Sequence, residues 1–307
     1  MLDVRRLHML KTVAARGSIT AAARSLALTA GAVSQQLAAL RNDVGVDLLR
    51  PDGRTVALTE AGRVLLEHAD RILSAVEEAE SAIAAVRGTV GATATLAALP
   101  STVARIVAPA LASLGTCHPQ LTVTCFLTDQ AQLRELVLGT VDVVLGQRYH
   151  HLPDATPKGI DVSPLLDDPL LVVTAADQGD ARPVILRELA AHDLALPPPT
   201  TDCGQAILQG CRQAGFTPTP RYVTADIAAQ ITLARAGLAT VLVPRTAIDP
   251  ATPGIRTTPL ADHPIQRVLF AATRHTENAN PTTTAVVTAL RAASRDGQPA
   301  SPPPREE

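Results

Sequence analysis

Tryptophan is missing from this 307-residue chain, and three Phe and two Tyr bring the aromatic share to only 2%. The interior must therefore be filled by Ala, Val, Leu and Ile, within an apolar share of 46%. Lysine is confined to Lys11 and Lys158, so nearly every cation is an Arg, the better group for planar bidentate contacts to phosphate or guanine. The same richness in Arg and Ala is also what GC-rich coding produces. Four cysteines, Cys117, Cys125, Cys203 and Cys211, make no disulfide framework, and no CxxC pair points to zinc. No stretch approaches the roughly 20 apolar residues that span a bilayer. The opening MLDVRRLHML mixes acid and base and lacks a signal peptide's apolar core, so the expectation is a soluble cytoplasmic protein. HExxH, GxSxG, Walker and dinucleotide patterns are absent, and His150-His151 is the only adjacent His pair. Neither catalysis nor a metal or cofactor is expected.

What is present is a division of charge and pattern. The net charge of −2 carries no polybasic tail, yet residues 1–62 hold eight basic and five acidic side chains and form the only positive segment. There Leu7, Leu10, Val13 and Ala14 repeat at helical spacing until Gly17. Ser18 can cap a second short helix presenting Ile19, Ala22, Ala23 and Leu26. Thr29 can cap a third, with Val33, Leu37 and Leu40 as the buried stripe and Ser34, Gln35, Gln36 and Arg41 facing elsewhere. Two short helices joined tightly, the second polar on its outer face, make a helix-turn-helix. A hairpin follows, Leu48 to Pro51 and Arg54 to Leu58 around Asp52-Gly53, with Arg50 and Arg54 expected at its tip for phosphates or a minor groove.

Thr59 can cap a long helix whose apolar residues, Leu65, Ala69, Ile72, Val76, Ala79, Ile83 and Val86, alternate in steps of four and three. Such a seam is that of a coiled coil, which one helix cannot bury alone; the expectation is pairing with a second copy, against docking on its own domain. From Thr93 onward β-rich runs alternate with helical patterns, which argues for parallel α/β units. Pro-containing passages near Ser163-Pro164 and His263-Pro264 suggest strands crossing between two lobes. The expected division is 1–59 for the helix-turn-helix and its wing, 60–88 for the long helix and 91–294 for the α/β region. Its first lobe takes about 91–164 and 267–294 and its second about 165–264, followed by a disordered tail over 295–307.

The residues from Leu7 to Gly62, with RGSITAAARSL, GAVSQQLAALR and LTEAG at fixed spacing, resemble the winged helix-turn-helix of LysR-type transcriptional regulators. The long helix and the α/β region continue the resemblance to about residue 294. It implies an α/β fold class with an α-rich winged helix-turn-helix at the N-terminus, a long linker helix and a two-lobed effector domain of the type 2 periplasmic-binding-protein kind. It also implies a homodimer through the long helix, usually a homotetramer, and a small-molecule effector. Carried over by position, Thr29, Ala30, Ser34 and Gln35 line the recognition helix, with Arg54 on the wing; Ser18, Gly31 and Arg50 complete the candidate DNA-binding set. Gly31 stands where the family usually has Pro, Leu49 where it has Phe, Arg41 where it has Glu and Pro51 where the wing Arg is expected, so Arg50 is a substitute for the last. Ser and Gln can bond base edges or phosphates, and two copies address two half-sites, which predicts an inverted-repeat operator on double-stranded DNA.

Ligands of two-lobed α/β domains sit outside the carboxyl ends of the strands. That rule selects Pro100, Ser101, Thr102, Thr128, Arg148, Thr200, Thr201 and Asp226 as candidate effector-binding residues, with plain N-capping as the competing role for Thr102 and a surface position for Arg148. Cys203 and Cys211 lie where peroxide-sensing members of the family carry their redox pair, which makes a redox-responsive regulator the alternative; burial of Cys211 as a small apolar side chain opposes it. A small-molecule binding protein or enzyme without sequence-specific DNA binding is the rival of another class.

Overall fold

Asp3 accepts hydrogen bonds from the backbone of Arg5 and Arg6 and so starts helix α1, Val4–Arg16, which Gly17 closes in the left-handed conformation. Ser18 caps α2, Ile19–Ser25, and Thr29 caps α3, Ala30–Val44. Strands β1, Leu49–Asp52, and β2, Thr55–Leu58, form the wing, and Thr59 caps α4, Glu60–Arg87. The computed structural model describes residues 1–53, 55–128, 133–153, 156–178, 182–249, 251–261 and 265–296. The first of its two compact units comprises residues 1–89 with 137–140 and 274–281.

One apolar core holds this unit together: Leu7, Leu10, Val33, Leu37 and Leu40 from the three helices and Leu48 at the wing. The wing is hydrogen-bonded to the helices where Val56 N–H donates to the Gly17 carbonyl at 2.9 Å. Asp52 pairs with Thr55, so the reversal falls one residue later than expected, with Gly53 at φ 61° as its first residue. The Thr55 hydroxyl donates to the Asp52 carbonyl at 2.7 Å and keeps Asp52 in the strand.

The seam of α4 is split. Leu65, Ala69 and Ile72 pack into the unit's own core, which corrects the expectation that all seven positions await a second helix. Leu73 and Ser81 are also buried, on a face where Glu77 accepts a hydrogen bond from the Thr276 hydroxyl at 2.8 Å. Val76, Ala79, Ile83 and Val86 remain exposed, Val86 by 90%.

The second unit is built on strands β3, Thr93–Ala98; β4, Thr122–Leu127; β5, Val143–Tyr149; β6, Ile160–Ala175; β7, Leu194–Leu196; β8, Tyr222–Val223; β9, Thr240–Pro244; β10, Ile255–Pro259; and β11, Gln266–Arg274. Its helices are α5, Ala108–Cys117; α6, Leu133–Val137; α7, Asp202–Gln213; α8, Ile227–Arg235; and α9, Pro281–Asp296. The strands hydrogen-bond in the order β4-β3-β5-β11-β6-β9-β7-β8, with β10 on β6. Strands β3, β4 and β5 are mutually parallel, as are β7, β8 and β9, whereas β11 runs antiparallel to β5 and β6 antiparallel to β9 and β10. The expectation of parallel units thus holds within each group of three and fails at the long strands between them.

Alternation sorts the strand residues onto two faces. Leu96, Val143, Leu145 and Leu269 meet α5 and α9 on one side, while Ala97, Val144 and Phe270 meet Leu136 on the other. Leu170, Leu186, Ile207 and Leu242 form a further core, and Val173, Val241 and Ala234 another. Along β6, Leu165 and Leu166 belong to the first of these cores and Leu170 to the third, so the chain changes core at Asp167-Asp168-Pro169 rather than at Ser163-Pro164. His263-Pro264 and the tail 297–307 lie outside the described residues, and Arg295 and Asp296 of the expected tail belong to α9. Before α5 the chain winds through a 3₁₀ turn at Pro100–Thr102 and a π-helical turn at Val103–Val107. Pro109 has no N–H to give to the Arg105 carbonyl, which favours the wider turn there.

Candidate functional site

The three helices set two turns of α3 on the surface of the first unit. With Val33, Leu37 and Leu40 buried, Ala30, Gly31, Ser34 and Gln35 are exposed together, three and four residues apart on one face. Thr29 is exposed as well, and its hydroxyl is committed to Ala32 N–H at 3.2 Å. Ser18, half-buried, is likewise committed to capping, accepting from Ala21 N–H at 3.0 Å. Gln36 braces the unit instead, accepting from Arg6 Nε at 3.0 Å, while Arg6 also pairs with Asp43 at 2.7 Å. Gly31 has open space where a Cβ would stand. Arg50 is exposed but sits along β1 opposite Ala57, two residues short of the hairpin end where it was expected. Arg54 lies outside the described residues.

In the second unit a cleft opens between the β3-β4-β5 group and the β7-β8-β9 group. A more open hollow of about 500 Å³ shares Ser101, Ala225 and Ile227 with it. In the cleft wall Arg267, 2% exposed, donates from Nε to Asp168 at 2.7 Å, from Nη1 to Gln147 at 2.7 Å and from Nη2 to Thr246 at 2.9 Å and Ser101 at 3.0 Å. Asp168, fully buried, also accepts from the Thr246 backbone at 3.0 Å and its hydroxyl at 2.7 Å. The ion pair is therefore enclosed by hydrogen bonds on both partners, the condition under which buried charges are tolerated. It joins β5, β6, β11 and the 3₁₀ turns at Pro100–Thr102 and Arg245–Ala247.

The expected effector residues divide. Ser101 and Thr201 line the cleft, and Pro100 and Asp226 line the adjoining hollow. Thr102 is fully buried with its hydroxyl given to the Leu99 carbonyl at 2.7 Å; it makes no side-chain cap hydrogen bond and lines neither the cleft nor the hollow. Successive strand residues face opposite ways, so Gln147 and not Arg148 looks into the cleft. Thr200 is exposed beside the capping Thr201, and Thr128 follows β4 at the far edge of the strand order; neither lines the cleft or the hollow. Asp168, Thr246, Arg267 and Gln230 are the residues that spacing did not select. The available signal was a charged residue at the head of each apolar strand run, Asp168 before PLLVVTA and Arg267 before VLFAAT.

Both cysteines of the proposed redox pair lie inside α7, eight residues apart. That is about 12 Å along a helix, beyond the roughly 7 Å that a disulfide bridges. Cys211 is buried, which pushes its thiol up to about 11 and removes thiolate at neutral pH. Cys203 lines the cleft near Tyr149, whose hydroxyl is held well above its ordinary range by burial first and by Cys203 second. The redox alternative is not favoured.

Two family descriptions match the chain: bacterial regulatory helix-turn-helix protein, lysR family, over residues 4–63, and LysR substrate binding domain over residues 87–295. The transcriptional regulator TcbR of Pseudomonas sp. (strain P51) is 28% identical over 249 residues, 79% of this chain and 83% of that protein. CbnR, solved at full length with its target DNA, is 26% identical, with a TM-score of 0.55 over 95% of this chain and 100% of that one. A full-length OxyR variant from Pseudomonas aeruginosa reaches a TM-score of 0.69 over 99% of each chain at 18% identity, a likeness of fold. Among the described residues no helix is long and apolar enough to cross a membrane.

Proposed function

The chain belongs to the LysR family of bacterial helix-turn-helix transcriptional regulators, and on that premise we propose how it divides the work of DNA binding and effector sensing. Residues 1–59 read an inverted-repeat operator, 60–88 pair with a second copy, and 91–294 bind a small molecule that changes operator binding. Two dimers joining give a tetramer, acting on DNA in the cytoplasm. Family membership makes the chain a regulator rather than an enzyme.

The observation that carries the reading is the exposed polar face of α3. Ser34 and Gln35 stand opposite the buried Val33, Leu37 and Leu40, so the helix is held by one side and offers the other to a groove. Thr29, Ala30 and Gly31 bring the helix N-terminus and its partial positive charge toward phosphate. Arg50 supplies a guanidinium from the wing. CbnR, solved on its target DNA, supports the same use of this domain. The cleft beneath Ser101 and Thr201 is the proposed effector site, and occupancy can shift operator binding only by its differential affinity for two arrangements of the oligomer.

The test is fluorescence anisotropy of the full chain against DNA from upstream of its own gene, with scrambled DNA as competitor, at two salt concentrations. Competitor-resistant binding that weakens with salt is expected. The Ser34→Ala/Gln35→Ala double variant should melt like the parent yet lose roughly tenfold or more in selective affinity, the order of one lost base contact. Equal binding of operator and scrambled DNA by the parent would overturn the reading.

A further inference from the structure

Among the described residues one buried side-chain polar atom in the cleft wall has no hydrogen-bond partner, and it is an acceptor. Gln230 on α8, 2% exposed, donates its amide nitrogen to the Thr224 carbonyl at 2.7 Å. A carbonyl oxygen can only accept, so that bond fixes which end of the amide is which. Gln230 Oε1 is the end that remains, buried and with no donor on it. Gln230 is itself one of the residues that line the cleft.

Several of the donors that would hold an anion are already engaged. Arg267 is the only charged side chain lining the cleft among the described residues, and Asp168 pairs with it at 2.7 Å. At the start of α7, Gly204 N–H is given to the Thr201 hydroxyl at 3.1 Å. At the start of α8, Ala228 and Ala229 N–H are given to the Asp226 carboxylate at 2.9 and 3.3 Å. A carboxylate bound here would bury its charge near Asp168 with no unmatched cation, whereas a neutral donor would satisfy an acceptor whose isolation is unfavourable. Ser101 Oγ accepts from Arg267 and keeps its own hydrogen for a ligand acceptor. Leu99, Ile227, Leu242 and Val243 offer the rest of the ligand an aliphatic surface.

We propose that the effector is a small uncharged aliphatic molecule of the amide or alcohol class, donating an N–H or O–H to Gln230 Oε1, and not a carboxylate. This rests on the cleft being the effector site. A primary amide carries both a donor of the kind Gln230 lacks and an acceptor of the kind Ser101 can serve.

Calorimetric titration of the full chain with primary amides of four to seven carbons, each beside the carboxylate of equal length, tests it. The best amide should bind at least tenfold tighter than its carboxylate at pH 7.5. Gln230→Leu should cut amide affinity at least tenfold, and Gln230→Met, closer in shape, repeats the measurement should the first variant fold poorly; both are checked by thermal melting. A carboxylate binding as tightly as its amide, an amide indifferent to both substitutions, or no binding by either series would overturn the proposal. The operator titration above is read on the same preparation without ligand, so a parent that holds operator while any of these outcomes appears leaves the regulator reading standing.

Discussion

Cys211 tests a single side chain against its surroundings. It is fully buried on α7 against the core that holds Leu186, Leu189 and Ile207, and burial raises its thiol from 9.0 to about 11. A thiol raised in the fold keeps its proton where the unfolded chain has lost it, so the folded state binds more protons and stability falls as pH rises. The window runs from about 9 to about 11, and the loss across it approaches ~3 kcal/mol for a shift of this size. Urea unfolding at intervals from pH 8 to 11 should show this decline, part of which Tyr149, also raised by burial, contributes with the same sign. Cys211→Ala removes the titrating group and should flatten the decline, whatever its small cavity does to stability at pH 8. An unchanged slope would place the titration elsewhere. The same burial explains why the residue belongs to packing and not to redox chemistry.

Between α4 and the wing, the closest approach in the first unit depends on one residue. A Cβ at position 62 would stand 2.1 Å from the Leu48 carbonyl oxygen, and that oxygen also accepts from Thr59 N–H at 3.0 Å. Gly62→Ala must therefore push the helix off the wing, and a destabilisation of about 3 kcal/mol is expected by analogy with overpacked cores. Urea unfolding followed by circular dichroism measures it; a change below about 0.5 kcal/mol, the ordinary surface value, would mean that wing and helix are not clamped. Elements of this kind were legible because their signals are local. Ser18, Thr29 and Thr59 each cap the helix that follows, and Val33, Leu37 and Leu40 are the buried stripe that their spacing indicates. The short strands β7, β8 and β10 were not legible, since a run of two to five residues carries too little periodicity and is held by its neighbours in the sheet. The cleft was half legible. Thr201 and Asp226 announce themselves as helix starts, whereas Arg267 and Asp168 lie 99 residues apart in sequence, and only the pairing of β6 with β11 brings them to 2.7 Å.

For the whole molecule, affinity has to come from duplication. The DNA-binding segment holds eight basic against five acidic side chains while the chain as a whole carries −2, so one copy offers few phosphate contacts. The exposed half of α4 is the part of the seam free to supply a second copy, since Leu65, Ala69 and Ile72 are already used within the unit. Ile83 is 56% exposed and belongs to no apolar cluster among the described residues, so replacing it should leave the folded monomer intact. In a two-fold interface the change is made twice. Removing two buried aliphatic side chains and adding two unpaired carboxylates should weaken pairing by at least about 4 kcal/mol, on the order of a thousandfold. Sedimentation velocity at micromolar concentration should then find Ile83→Glu at half the parent's mass. Its operator binding should drop toward that of a lone module, with a salt dependence about half as steep because half as many phosphates are contacted together. A variant that sediments with the parent would move the pairing surface off α4. One that becomes monomeric yet binds as tightly would show that a single copy suffices.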